Sequence, residues 1–413
     1  MTTIEKKLVE TRAQMHQLQI AKASLIKSVL SDISRALAEQ SNQVLSANRK
    51  DLAKMDPKNS LYDRLLLNEA RLSGIAGSIQ KVIRLKDPTN QIITKQQLEN
   101  ALQLEKITTP LGVVAAIFES RPNVVADIAT LCLKSRNACV LKGSKDAEHT
   151  NKAIVRIIHQ ALEKNGLPKS LVYLLPSERS VVDILFKATR TIDVIIPRGS
   201  NGLIEYVRSH SRVPVIETGA GVCHVYIHKD ADIEMGVNIV VNAKSQRPSV
   251  CNAMDTLLVD ETIAKKFLNH LRKHFEEKKV TIHGDAKSLA LLKDYPFIKK
   301  ANATTYATEF LSLACAVKVV KDLPEALQHI EKYGTRHSEA IVTRHQKTAE
   351  TFLNAVDAAA VYHNASTRFT DGEEFGLGAE VGISTQKLHA RGPFALEKLV
   401  TEKWILRGNG QIR

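Results

Sequence analysis

Leu25, Ile26, Val29, Leu30, Ile33 and Leu37 recur every three or four residues between polar neighbours, the mark of a helix that buries one face. The first hundred residues read as helices of this kind. The pattern then changes: short strands are expected over 104–108 and, past the break at Pro110, over 112–118. Between 112 and 218 the compact apolar runs GVVAAIF, NACVLK, LVYLL, IDVIIP and VPVIE alternate with helical stretches such as AEHTNKAIVRIIHQALEKNG and SVVDILFKAT. Apolar runs without polar alternation are strands covered on both faces, and helical crossovers between them predict a parallel, doubly wound sheet. A second alternation follows Met254, with strands TLLVD, VTIHG, AVKVV, EAIVT and AAAVYH and helices ETIAKKFLNHLRKHFEEKK, PEALQHIEKYG and KTAETFLNAV. The chain closes on the strand-like LVTEKWILRG. A strand that follows a finished α/β unit needs a pairing partner, another subunit being one candidate.

A chain of 413 residues is long enough for two or three domains and a large core. Its 44% hydrophobic and 25% charged residues suit a soluble globular protein and exclude a fibrous or low-complexity one. No apolar run is long enough for a membrane span, and MTTIEKKLVETRAQMHQ lacks the apolar centre of a signal peptide. A cytoplasmic protein with no membrane partner is expected. The five cysteines contain no CxxC pair, which predicts reduced thiols and no metal knuckle. The net charge of +14 raises nucleic acid as a partner. Lys and Arg are nevertheless spread as 16, 14, 15 and 13 over 1–100, 101–200, 201–300 and 301–413, with no basic arm. Aromatics at 5% leave few platforms for bases, so the charge reads as a solvated surface or one suited to an anionic small molecule.

Two turns follow predicted strands where a parallel sheet takes its ligands: KGSKD after NACVLK, and PRGSNG after IDVIIP. Each reads either as a phosphate cradle at a helix N-terminus or as a tight βα corner. Neither is a GxGxxG turn, and the nearest approach has Gly219 and Gly221 with His224 at the third position. Cys132, Cys139, Cys223 and Cys315 lie in apolar runs and read as small core residues. Cys251 lies instead in AKSQRPSVCNAMD, at the seam of the two alternations, where clefts form. Read as part of a polar loop that opens a helix beside Arg247, it is either a nucleophile favoured as thiolate or an idle loop thiol. His224 and His228, like His270 and His274, lack the partners of a metal site and read as solvated positions.

QRPSVCNAMDTLLV, ESRPNVVAD and ALQHIEKYGTRHSEAI resemble the gamma-glutamyl phosphate reductases, the proline-biosynthesis branch of the aldehyde dehydrogenase superfamily. The resemblance covers essentially the whole chain. It implies an aldehyde-dehydrogenase-like α/β fold with two doubly wound α/β domains and a small β oligomerisation element. The cofactor domain would take 1–98 and 113–248, with 369–391 returning to it; the catalytic domain 249–368; and the oligomerisation element 99–112 with 392–413. The implied reaction is NADPH-dependent reduction of L-glutamyl 5-phosphate to L-glutamate 5-semialdehyde and phosphate through a cysteine thioester. Cys251 is then the nucleophile, and Asn123 is similar to the asparagine that faces the oxyanion. Lys142 resembles the lysine at the adenosine ribose, Gly199, Ser200 and Gly202 the turn near the pyrophosphate, and Glu309 the glutamate at the nicotinamide ribose. Arg336, His337 and Glu339 occupy a segment that the wider superfamily keeps apolar, which implies recognition of a charged substrate, with Arg121 and Arg247 as further candidates. Glu217 falls where hydrolytic relatives keep a general base, a role that reduction does not need. A homo-oligomer, dimer or tetramer, and channelling with glutamate 5-kinase are implied as well. Two readings compete: a coenzyme A-dependent acylating aldehyde dehydrogenase, which should lack the RHSE segment, and a basic nucleic-acid-binding protein.

Overall fold

The computed structural model describes residues 1–57, 59 and 62–413. The chain forms two units, Met1–Thr218 with Gly376–Gly382 and Phe394–Arg413, and Gly219–Phe375 with Ile383–Pro393. Helix Thr3–Gln19 starts at Thr2, whose hydroxyl accepts the Glu5 N–H while the Glu5 carboxylate accepts the Thr2 N–H. Ala23–Glu39 turns Ile26, Val29, Leu30, Ile33 and Leu37 inward along the stripe read from the sequence. Ser41–Leu52 and Glu69–Arg84 continue the helical start.

The first unit's four-stranded sheet runs in the order Val172–Leu174, Ala138–Lys142, Val113–Phe118, Val194–Arg198, all parallel. Every residue of Val113–Phe118 is buried, as a strand covered on both faces requires. The register sets Ile117 beside Lys142 and Phe118 beside Arg198, so Glu119, Gly143 and Gly199 leave the sheet along one carboxyl edge. VPVIE, expected as a fifth strand, is only a bridge between Val215 and Ile195. Pro214 has no N–H to give a ladder, which ends the pairing there.

The expectation of helices throughout the first hundred residues fails at Ile92–Gln97. This strand pairs antiparallel with Gln103–Pro110, which pairs in turn with Val400–Arg407. All six residues of Ile92–Gln97 are exposed, so no buried stripe betrayed it. The small β element thus takes in 92–97 and lies within the first unit.

The second unit is built on seven parallel strands, ordered Ile298–Lys300, Thr281–Gly284, Ala314–Val320, Met254–Asp260, Cys223–Ile227, Ser338–Val342, Ala360–His363. Helix Ala264–Glu277 packs Phe267, Leu268, Leu271 and Phe275 into its core. Phe352 of Gln346–Ala355 and Ile330 of Leu323–Tyr333 pack against Tyr226 in a second cluster. Cys223–Ile227 sits inside this sheet, so the boundary expected at 248/249 belongs at 218/219. Of 369–391, only Gly376–Gly382 returns to the first unit. Among the described residues no helix is long and apolar enough to cross a membrane.

Candidate active site

In the second unit, residues 246–253 join helix Ile233–Ser245 to strand Met254–Asp260 and leave Cys251 half-buried. The turn leaves a helix C-terminus and enters a strand, so the helix N-terminus expected to favour a thiolate is not there. Positive charge comes from side chains instead. Arg368, half-buried, has its pKa lowered chiefly by burial and next by Arg247, while Cys251 is among the groups that raise it. Both guanidiniums therefore lie within electrostatic reach of one another, and Arg368 within reach of the thiol.

Arg368 Nε donates to Gln246 Oε1 (3.0 Å), and its Nη1 to Asn252 Oδ1. Asn252 Nδ2 donates to the Thr370 carbonyl (2.9 Å), and Thr367 Oγ1 to the Asn252 carbonyl (2.7 Å). Residues 367–370 thus brace the turn on both sides of Cys251. Sequence reasoning missed Arg368 because it meets Cys251 only through the fold, more than a hundred residues along the chain.

The Cys223 thiol donates to the Cys251 carbonyl (3.2 Å), and a Cβ built on Gly221 would lie 1.6 Å from that oxygen. Only glycine lets the chain pass so close. The Gly221 N–H donates to Glu309 Oε1 (3.1 Å), and the Val222 N–H to Thr335 Oγ1 (2.9 Å). Cys251, Glu309 and Thr335 are therefore gathered on one turn. Cys132, Cys139, Cys223 and Cys315 are buried, as expected of core thiols. Burial pushes Cys315 up to about 12 and Cys223 well above the ordinary thiol range; the Cys132 thiol, with burial, does the same to Cys139.

The 334–339 segment is only partly a loop, since Ser338–Val342 is a wholly buried strand paired on both sides. Arg336 is exposed, its guanidinium 3.9 Å from Glu331 and 3.8 Å from Asp357. His337 and Glu339 are wholly buried. Burial pushes His337 down to about 4, and its Nδ1 lies 2.8 Å from Ser338 Oγ. Glu339 Oε2 accepts the His224 backbone N–H (2.8 Å) and lies 2.9 Å from His224 Nδ1. The expectation that His337 and Glu339 face a substrate is corrected here, because strand pairing turns them into the protein. His224 and His228 are likewise buried rather than solvated, His228 Nδ1 lying 3.0 Å from Thr343 Oγ1.

In the first unit, Lys142 ends its strand buried, donating to the carbonyls of Gly143 (2.9 Å) and Ser177 (3.0 Å), and burial lowers its pKa. Ser200 caps helix Asn201–His210, its hydroxyl accepting the Leu203 N–H. The Glu119 carboxylate accepts the Ser200 N–H (2.8 Å) and the Ser200 hydroxyl (3.0 Å), and it stands where a Cβ on Gly199 would fall. A Cβ on Gly202 would meet nothing, so packing does not explain that glycine. Asn123 opens helix Asn123–Lys134, exposed, with its Nδ2 donating to Asp127 Oδ2 (2.9 Å). Arg121 is half-buried and Arg247 exposed. Glu217 keeps one oxygen 3.8 Å from Arg208 Nε.

The profile of the aldehyde dehydrogenase family matches residues 19–290. Over its whole length the chain is 49% identical to the gamma-glutamyl phosphate reductase of Chlorobium luteolum, covering 98% of that protein. It is 47% identical to the enzyme of the same name from a Nitratiruptor species, over 99% of this chain and 100% of that one. The crystal structure of gamma-glutamyl phosphate reductase from Thermotoga maritima superposes with a TM-score of 0.95 at 40% identity, covering 99% of each chain.

Proposed function

The chain belongs to the gamma-glutamyl phosphate reductases of the aldehyde dehydrogenase family, and we propose that Cys251 carries its chemistry as a thioester. The enzyme acts in proline biosynthesis, reducing L-glutamyl 5-phosphate to L-glutamate 5-semialdehyde with a nicotinamide cofactor. The observation that carries the proposal is the one thiol of five that is not buried, in a turn braced by Arg368. Its thiolate attacks the acyl carbon; the C–S bond forms, the bond to phosphate oxygen breaks, and phosphate leaves with the electron pair. Arg247 and Arg368 favour the thiolate and offset the charge of the departing phosphate. Arg121 is assigned the substrate carboxylate.

The residues suit a dinucleotide: Ser200 already places two hydrogen bonds on a carboxylate, as a phosphate oxygen would require. Gly199, Ser200 and Gly202 would hold the pyrophosphate, Lys142 the adenosine ribose and Glu309 the nicotinamide ribose. When bound, NADPH supplies the hydride that reduces the acyl group. The protein then releases the aldehyde as the Cys251 thiol re-forms.

The deciding assay runs in reverse with cyclised glutamate semialdehyde, phosphate and NADP+. NADPH absorbance should rise only when phosphate is present; a rise dependent on coenzyme A instead would point to the acylating alternative.

Asn123 is assigned the oxyanion. One of its two amide hydrogens is bound to Asp127, which leaves the other to donate. Asn123→Ala should lower kcat by roughly 100-fold, the scale for losing one such donor. A change confined to KM would mean ground-state binding instead.

The strands Ile92–Gln97 and Val400–Arg407 are the two edges of their sheet, with Ile92, Ile93, Trp404 and Leu406 exposed. We assign this element to contact with another copy of the chain. Trp404→Glu should then shift sedimentation to a smaller species, and an unchanged mass would remove the assignment.

A further inference from the structure

Two buried charged side chains flank the Cys251 turn. Lys244 lies in the last turn of helix Ile233–Ser245, and Asp255 is the second residue of strand Met254–Asp260. Lys244 Nζ lies 3.3 Å from Asp255 Oδ1 and donates to the Ala314 carbonyl (2.8 Å). The same Asp255 oxygen accepts the Phe310 N–H (3.1 Å). Phe310 follows Glu309, whose carboxylate accepts the Gly221 N–H, and Gly221 packs against the Cys251 carbonyl. The contacts close a ring from one end of the turn, through the ion pair and the 309–310 segment, back to the Cys251 peptide.

Burying such a pair is costly. Apolar residues of similar size commonly serve stability as well or better, so stability alone does not account for it. Burial raises the Asp255 carboxyl to about 6 against the opposing pull of Lys244 and the Phe310 N–H. A lysine and an aspartate at the two ends of one turn do fix what an apolar pair leaves loose: the spacing of those ends, and the place of a third segment through a directed hydrogen bond.

We propose that Lys244 and Asp255 are positioning residues that hold the Cys251 turn and the Glu309 segment in one register. The proposal rests on the reading of Cys251 as nucleophile and Glu309 as a cofactor ligand. Neither Lys244 nor Asp255 touches the reacting atoms; each acts through the backbone it fixes.

Two double variants separate positioning from bulk stability. Lys244→Met with Asp255→Leu removes both charges and the acceptor for Phe310. Lys244→Met with Asp255→Asn removes both charges and keeps an acceptor. Each is compared with wild type at a temperature where circular dichroism shows it fully folded. Three quantities are read: kcat, NADP+ affinity by calorimetry, and the rate at which iodoacetamide alkylates Cys251, located by peptide mass spectrometry.

The Met/Leu protein should lose at least 10-fold in kcat, weaken NADP+ binding at least 5-fold, and change its alkylation rate at least 3-fold. The Met/Asn protein should recover NADP+ affinity to within 2-fold of wild type. Wild-type values in a folded Met/Leu protein would overturn the proposal, as would equal losses of affinity in both variants. If Met/Leu does not fold, the Met/Asn protein, which also leaves no unpaired buried charge, decides, and kcat per folded molecule within 2-fold of wild type overturns the proposal. A Cys251→Ala enzyme that still turns over would sink the nucleophile reading, and it would do so without touching the NADP+ affinities that test the clamp.

Discussion

Cys251→Ala should reduce turnover by roughly 10⁴-fold or more, the scale reached when a covalent nucleophile is removed. The size of the effect follows from what remains. Alanine leaves the turn, its arginines and the cofactor groups in place but offers no atom to displace phosphate, and the other thiols cannot substitute. Cys132, Cys139 and Cys315 are buried elsewhere in the two cores, and Cys223, although its sulfur bonds the Cys251 carbonyl, is itself buried with its pKa driven up. NADP+ binding, followed by calorimetry, should survive. Phosphate-dependent NADPH formation that persists in Cys251→Ala and disappears in Cys223→Ala would transfer the role to the neighbour.

Gly221→Ala should cost between about 10²- and 10³-fold in kcat, because a displacement of about 1 Å at a reacting group is enough for the lower figure. The added methyl would stand 1.6 Å from the Cys251 carbonyl oxygen, and the nearest three atoms are all Cys251 backbone, which cannot swing aside as a flexible side chain can. Something must move by more than an ångström. If the Cys251 peptide yields, the thiol is misplaced; if the 219–222 stretch yields, the Gly221 N–H leaves Glu309. The first path lowers kcat, the second also raises the KM for NADPH, and steady-state kinetics on the folded variant distinguishes them. A variant with wild-type kcat and KM would mean that the close approach serves packing alone.

Most strands of the two parallel sheets were legible from their apolar runs, GVVAAIF, NACVLK and IDVIIP most plainly, whereas Ile298–Lys300, with two exposed lysines among its three residues, gave no such run. Cys251 stood out for the opposite reason, a thiol in a polar stretch. What escaped notice depends on pairing across the fold. His224 and Glu339 look like surface chemistry until the register sets their strands side by side and brings His224 Nδ1 to Glu339 Oε2 inside the protein. Arg368 and the Lys244–Asp255 pair carry no local pattern, since their partners are chosen by tertiary approach. Ile92–Gln97 was hidden because it buries nothing, leaving only its β-branched residues as a signal. The unit boundary was misplaced because Cys223–Ile227 is as apolar as a strand of either sheet.

The last strand has a consequence for how the protein is made. Val400–Arg407 pairs along its length with Gln103–Pro110, the Asn137 amide bonds the Leu399 carbonyl, and Phe394, Leu396 and Leu399 are buried in the unit that begins at Met1. A ribosome producing this chain finishes every strand of the second unit's sheet before the first unit has all its parts. Through that interval one edge of Gln103–Pro110 stays unpaired, a template for any other extended chain within reach. Nascent chains stalled before residue 400 should therefore be the most aggregation-prone species in its synthesis, and chaperone engagement should persist until the final strand emerges.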